Sequence, residues 1–373
     1  MLKGFYLSLY IGPVVTEPVP QELIDALISV QITTASSGRS GFQLTFGVTR
    51  GGIIERELVP SGFLDPLIRV QIVVTVSGQP TVLMDGLISR QDVAPSNTPG
   101  SSTLTITGED VSVAMDLIDL TGLPYPCLVP EARIAIALAK YAMFGVLPII
   151  VPSVLLEVPN PTEKIPTHVG TDLAYINYLA AEAGYVFYVS PGPRNVNKAY
   201  WGPEIRYGEV QPTLSVNMDA HTNVESLSFG YDGLSAKLFF AMGQIPFTTF
   251  SAIVPIPNVG ILRPPIASKQ PLPLKLEFLE GTNKLGLLGA AAIGLARASQ
   301  SADAVTGSGG LDVLRYGRIL EARGLVDVRG AGPAYDGTYY VKSVTHNIKR
   351  GEYKQNFSLA REGVLPIANR VTV

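Results

Sequence analysis

The sequence is poor in the residues that most often carry chemistry. Cys127 is the single cysteine among 373 residues, which excludes an internal disulfide framework and a multi-cysteine metal site. Placed after Pro126, it reads as a small buried hydrophobe. The three histidines, His168, His221 and His346, stand far apart, and none has a second ligand at metal spacing. Long apolar runs are absent too, whereas a membrane-spanning helix needs roughly 18 or more such residues. Residues 285–295 lie between Lys284 and Arg297, and residues 143–158 are broken by Pro148 and Pro152, so both read as buried or inter-subunit segments. No Lys/Arg cluster appears and the net charge is −3, which argues against a dedicated nucleic-acid site. A weakly acidic lining to a DNA passage stays compatible with that balance. No G-x-S-x-G elbow, P-loop or G-x-G-x-x-G after a strand occurs. The N-terminal MLKGFYLSLYIGPVV, with Glu17 shortly after it, matches a signal cleavage site poorly and reads as a first strand.

Apolar residues are plentiful instead. They make up 46% of the chain and give a mean hydropathy of +0.27, high for a soluble monomer, which points to an obligate oligomer. The length allows two or three domains. Residues 5–107 hold six short runs, FYLSLYI, LISVQITT, FQLTFGV, LIRVQIVVTV, TVLMDGLIS and STLTITG, rich in the Val, Ile, Thr and Phe that sheets favour. No helix-length crossover separates them, so residues 1–108 are predicted to form a small barrel or sandwich. The Pro/Ser/Asn-rich residues 94–102 read as a long hairpin loop.

The pattern changes at Gly108, Glu109 and Asp110. Asp110 can accept hydrogen bonds from exposed amides and cap a helix over VSVAMDLIDL. Pro130 suits the first position of a second helix, which runs to Gly145. A third is capped by Thr171 and ends at Gly184, with Leu173, Ile176, Leu179, Ala180 and Ala183 as its apolar stripe. The strand YVFYVS comes after it, and residues 109–222 read as a mixed α/β domain. Strand character resumes in VESLSFGY and AKLFFAMG. Residues 246–273 are Pro-rich, and because proline limits ladder hydrogen bonding they read as an extended surface insertion. A helix near 282–298 and a small-residue loop over 299–310, with Gly307-Ser308-Gly309-Gly310, come next.

Residues 325–361 read as a β-meander that completes a second β-rich domain, 223–373. Turns at Tyr335-Asp336-Gly337 and Arg350-Gly351-Glu352 separate its three alternating segments. Strict alternation places Tyr340, Lys342, Val344 and His346 on one face, with Tyr339, Val341, Ser343 and Thr345 on the other. His346 then reads as a packed residue rather than a catalytic one. Two pairs of neighbouring acids invite a glycosidase reading. Glu109 and Asp110 have a simpler role at a helix N-terminus, and Asp116 and Asp119 fall on a solvent face. Tyr175, Tyr178, Tyr185, Tyr188 and Tyr200, near Trp201, could hold a sugar or nucleobase, but core and interface packing is the commoner use of tyrosine. Asn356-Phe357-Ser358 fits a glycosylation pattern that lacks a secretion signal to go with it.

Three groups of residues carry a resemblance. The closing pattern runs through Asp336, Gly337, Tyr339 and Val341, then His346, then Gly351 and Tyr353, then Phe357 and Arg361. In the first domain Phe63-Leu64-Asp65-Pro66 precedes Asp85 and Gly86, and Leu104 to Thr107 precedes Gly108-Glu109-Asp110. Between them stand Leu179-Ala180 and Gly184-Tyr185-Val186-Phe187-Tyr188. In order and spacing the chain resembles the phage late control D family, the T4-like tail baseplate hub proteins, and the hub part of valine-glycine repeat protein G.

That resemblance implies two tube-like β-barrel domains plus a mixed α/β domain, giving a mainly β chain with an α+β middle section. It also implies a homotrimer whose six barrels adapt the six-fold tail tube of a virion baseplate, or of a phage-derived contractile injection system, to a three-fold spike. The implied partners are the chain itself, a separate trimeric spike protein, a tail tube or tube-initiator protein and other baseplate proteins, with no cofactor, metal or catalytic residue. Synthesis in the bacterial cytoplasm without a signal peptide is expected. The Pro-rich residues 246–273 have no counterpart in the pattern. The alternative reading is a tail-associated cell-wall or polysaccharide hydrolase, motivated by the aromatics and scattered acids; a soluble carbohydrate-binding module is the third.

Overall fold

The computed structural model describes residues 4–98, 100–153, 165–244, 251–256, 264–279, 294, 298 and 303–367. The chain is mainly β, with an α+β middle section. Its first unit holds β1 (Phe5–Gly12), β2 (Glu17–Pro18), the short helix α1 (Gln21–Asp25), β3 (Leu27–Ala35), β4 (Gly41–Val48), β5 (Arg69–Val76), β6 (Gln79–Ala94) and β7 (Ser102–Asp110). All six β-rich runs are strands, antiparallel in the order β3-β4-β7-β6-β5-β1. Alternation drives this: Val30, Ile32, Phe42, Leu44, Phe46, Leu104 and Ile106 are buried, while Gln31 and Gln43 between them are exposed.

The middle unit has a 3-10 turn at Val111–Asp116, helix α2 (Pro130–Ala139), a second 3-10 turn at Ala142–Phe144, β8 (Val146–Ile150), α3 (Asp172–Ala183), β9 (Val186–Pro191) and β10 (Asn197–Gly202). β10 is central, parallel to β8 and antiparallel to β9. Ile134, Leu138, Ile176, Leu179, Phe187 and Trp201 form a core of their own. The Thr171 hydroxyl accepts from the Ala174 amide at 3.2 Å, and Gly184 closes α3 at φ +69. After Asp110, however, there is one 3-10 turn and no α-helix. Asp110 caps it as expected, accepting from the Ser112 amide at 2.9 Å. The chain then leaves helical geometry because the Asp119 carboxylate takes the Thr121 amide at 2.8 Å and the Asp119 backbone bridges to Thr171.

The second unit comprises β11 (Val210–Ser215), β12 (Val224–Tyr231), β13 (Lys237–Gln244), β14 (Ser251–Ile256), β15 (Ala267–Lys269), β16 (Lys275–Phe278), β17 (Val305–Asp312), helix α4 (Val313–Tyr316), β18 (Leu325–Arg329), β19 (Gly337–Lys349), β20 (Glu352–Arg361) and β21 (Val364–Pro366). Strands β12-β17-β20-β19 are antiparallel, and β19 pairs onward with β3, so both β-units share one 13-stranded sheet and one continuous apolar core. β11, which precedes residue 222, pairs in parallel with β18.

Several local expectations are corrected. Gly307-Ser308-Gly309-Gly310 belongs to strand β17, between β12 and β20, and is no loop. Its glycines let the strand run beneath aromatic rings: a Cβ on Gly309 would stand 2.4 Å from the Ser226 carbonyl oxygen and 2.7 Å from the Phe357 ring. In β19 a bulge between Val341 and Ser343 resets the alternation. Tyr339 and Val341 consequently join the same core as Val344 and Ile348. The Pro-rich insertion contributes strands β14 and β15, with Pro255 opposite Phe240. Cys127 is exposed, at φ +57, rather than buried. The helix near 282–298 lies outside the described residues except for Gly294 and Ala298, both helical.

Candidate functional site

The polar chemistry of the chain concentrates where the three units meet. Arg69 and Asp85, on neighbouring strands β5 and β6, form a two-pronged pair with both contacts at 2.7 Å, and each residue is at most 2% exposed. Asp85 also accepts from Gln71 at 3.2 Å and from Asn197 of β10 at 3.0 Å. The Arg69 guanidinium reaches the carbonyls of Val14 and Phe144, and Asn197 reaches Phe144 as well. First and middle units are thereby stitched through one buried ion pair. Gly86 beside it lies so close to β7 that a Cβ would sit 2.1 Å from the Glu109 carbonyl oxygen.

The β3–β4 turn makes the next seam. Ser36 N–H donates to the Lys342 carbonyl at 2.6 Å, and Gly38 N–H to that of Phe187 at 3.3 Å, so one turn touches both other units. Arg39 pairs with Glu109 at 2.7 Å and with Asp116, whose other oxygen accepts from Thr171 at 2.6 Å. The Thr171 and Arg39 hydrogen bonds hold the Asp116 carboxyl below the usual range, although burial opposes them. Asp110 is pushed the other way by burial, despite accepting from the Ser40 amide at 2.6 Å. Arg39, Asp116, Asn177 and Tyr188 line a cavity of about 240 Å³ here. Its two charges neutralise each other.

On the second unit, Arg323 lies 3.9 Å from the centre of the Tyr188 ring, and burial lowers its pKa. Arg206 makes ion pairs with Glu204 at 3.0 Å and Asp303 at 2.5 Å, and covers the Tyr340 ring at 4.8 Å. Lys342 extends that network to Asp303 at 3.2 Å.

The motif positions of the closing meander fall in two knots. Arg361 spans the first, donating to the carbonyls of Gly363, Asp336 and Ala334 at 2.8 to 2.9 Å while lying 4.3 Å from the Tyr339 ring. Asp336 accepts from the Ala331 amide at 2.8 Å, and Gly337, at φ +109, passes against Pro366. In the second knot His346 Nδ1 lies 2.8 Å from the Tyr353 hydroxyl and 3.3 Å from the Gln355 amide nitrogen. Burial pushes His346 down to about 4 and the Tyr353 phenol up. Gly351 makes the β19–β20 turn at φ +77; Gly108, Val341 and Phe357 pack in the sheet. These residues come together as structural joints and not as one reactive cluster. Among the described residues no three His, Cys, Asp or Glu side chains are grouped to hold a metal ion. Of the tyrosine set, Tyr175, Tyr185, Tyr200 and Trp201 are buried, while Tyr178 is exposed and bonded to Glu182 at 2.5 Å.

Sequence reasoning passed over the arginines that make the seams: Arg39, Arg69, Arg206 and Arg323. A signal for one existed, since Arg69 and Asp85 are charges inside otherwise apolar strand runs and demand partners.

No family model and no curated protein matches the sequence. Solved structures do match. A tail protein from Neisseria meningitidis MC58 aligns over 97% of this chain and 98% of its own, with TM-score 0.61 and 13% identity. The 43 kDa tail protein of prophage MuSo2 from Shewanella oneidensis aligns over 96% and 99%, at 0.62 and 14%. An E. coli type VI secretion component, described as structurally similar to the T4 tail proteins gp27 and gp5, aligns over 93% and 75%, at 0.52 and 10%. From end to end, the chain has the fold of phage tail proteins and of their secretion-system relatives, which is what its motif pattern resembles.

Proposed function

We propose that the chain is the central hub of a phage tail baseplate or of a phage-derived contractile injection system, a homotrimer that adapts the six-fold tube to a three-fold spike. The observation that supports it most is the fold likeness to two tail proteins over nearly the whole of both chains. Physical requirements point the same way. An adaptor needs two non-identical units that offer similar rims to one partner, and a frame stiff enough to keep them in register. The shared sheet and the buried Arg69–Asp85 and Arg206–Asp303 seams supply such a frame without any reaction. Its partners are a trimeric spike and a tube or tube-initiator protein, and its place is the tail or the injection particle. Mixing the purified chain with a trimeric spike and a tube protein tests this, with a ternary complex expected. Failure to bind either, together with hydrolysis of peptidoglycan or polysaccharide that one acidic substitution abolishes, would replace the hub with a tail-associated hydrolase.

A further inference from the structure

One face of the large sheet is polar without being charged. Along β12-β17-β20-β19-β3-β4-β7, alternate residues enter the core, among them Leu359, Val344, Ile32, Leu44 and Ile106. The residues between them look outward and stand in register from strand to strand. One row runs Ser228, Ser308, Ser358 and Ser343 over β12, β17, β20 and β19. A second runs Asn347, Gln31, Gln43 and Thr107 over β19, β3, β4 and β7. All of them are exposed or half-buried, and neither row contains a charge or an aromatic ring. Hydroxyls bond to one another across the strands: Ser228 with Ser308 at 3.0 Å, Ser343 with Ser358 at 2.7 Å and Thr33 with Thr345 at 3.1 Å.

Charges gather at the margins of this face. The second row ends on Arg90 of β6, held by Asp92 of the same strand at 2.8 Å, and Lys354 is paired with Glu225 at 2.9 Å. Lys349, opposite Ser29, and the exposed Ile28 mark one rim. A soluble surface ordinarily carries charge on about a quarter to a third of its residues. Protein interfaces gather aromatics and arginine, duplex DNA sites gather Lys and Arg, and single strands are held on aromatic platforms. Between its margins this face has none of them. It stays wet yet offers little that holds a partner. Among the described residues β12 pairs only with β17, and β6 beyond Ile88 only with β7, so the face ends on open edges that a second copy can continue.

We infer that this face is the wall of the hub's bore, and that its chemistry lets double-stranded DNA pass without being held. Affinity for a duplex comes from cations that displace its counterions, and an uncharged wall displaces none. Hydroxyls already bonded across the strands have little hydrogen-bonding capacity left for phosphate or sugar. A face turned to an enclosed passage is also relieved of the long charged side chains that keep an outer surface soluble. The inference rests on the hub reading and assigns its inner surface.

Cysteine labelling of the full chain tests it. Gln43→Cys and Ser308→Cys, both at exposed positions, are made in a Cys127→Ser background and isolated as trimers, with thermal unfolding to check that the fold survives. N-ethylmaleimide should label both. Maleimide-streptavidin, too bulky for the bore, should label neither in the trimer and both in urea, whereas the exposed Cys127 of the parent chain should take either reagent. Labelling of both positions by the bulky reagent in the trimer would put the face outside, and exclusion of both reagents would bury it under a partner. Either result overturns the inference and leaves the hub reading in place. A wild-type monomer would overturn both. A second arm follows the fluorescence anisotropy of a short DNA duplex. The wild type should not retain it, and the trimeric Gln43→Lys/Ser308→Lys variant should, binding at least about tenfold more weakly as salt rises from roughly 50 to 200 mM. Wild-type binding with that salt dependence, or a lysine variant that binds no better than the wild type, would overturn the non-adhesive wall.

Discussion

At the scale of single residues, the charges of this protein hold units together. The Arg69–Asp85 pair is nearly inaccessible to water, so removing one partner strands the other charge. Arg69→Met is expected to cost about 3–5 kcal/mol in unfolding free energy, and Arg69→Met with Asp85→Leu considerably less. Equal losses in urea denaturation would show that the pair is not what the seam depends on. His346 gives a pH signature. Its folded pKa, about 4, lies below the ordinary 6.5 because burial disfavours the cation. Between these values the unfolded chain binds a proton that the native one does not, so stability is full above pH 6.5 and falls as the pH drops toward 4. Going from pH 7 to 4.5, the wild type should lose about 2 to 3 kcal/mol more than His346→Leu. Asp110, raised by burial above its ordinary 3.8, works in the opposite direction as the pH falls toward that value, and the paired comparison removes it. Parallel pH dependence in the two proteins would contradict a buried neutral His346.

At the scale of elements, β17 shows why some of the architecture was hidden in the sequence. Gly309 gives up its side chain so that Phe357 and the β12 backbone can close over it, whereas a Cβ on Gly310 would meet the Asn356 side chain at 3.2 Å and the Ser226 hydroxyl at 3.6 Å, with no backbone nearer than 3.8 Å. Gly309→Ala should destabilise by about 1–3 kcal/mol and Gly310→Ala by under about 1 kcal/mol. Reversed magnitudes in thermal unfolding would refute that packing. A run of glycines carries no alternation and therefore resembles a loop, although the residues above and below it impose a strand. The six runs of the first unit were legible because one side of each faces a core, leaving a period of two in the sequence. Caps at Asp110, Thr171 and Gly184 were legible for a local reason, since each is satisfied within a few residues. The short 3-10 turn that replaces a helix after Asp110 was not, because the Asp119–Thr171 bridge that ends it joins residues 52 apart in sequence. The bulge at Val341/Ser343 escaped for the same reason: β19 changes neighbours there, from β18 to β3, and no short-range pattern records that exchange.

At the scale of the whole molecule, one sheet runs through both β-units, and the middle unit is fastened across their seams by Arg69, Arg39 and Arg323. A frame of this kind sets the relative position of two rims, which is what matching unequal symmetries requires. Exposed apolar residues, among them Leu274, Leu276, Ile118 and Val169, remain on a surface that a monomer would leave to water. Native mass spectrometry of the purified chain, alone and with a trimeric spike, tests the central claim most directly. A species of three copies that binds one spike trimer is the predicted result; a monodisperse monomer at micromolar concentration that ignores the spike would contradict it.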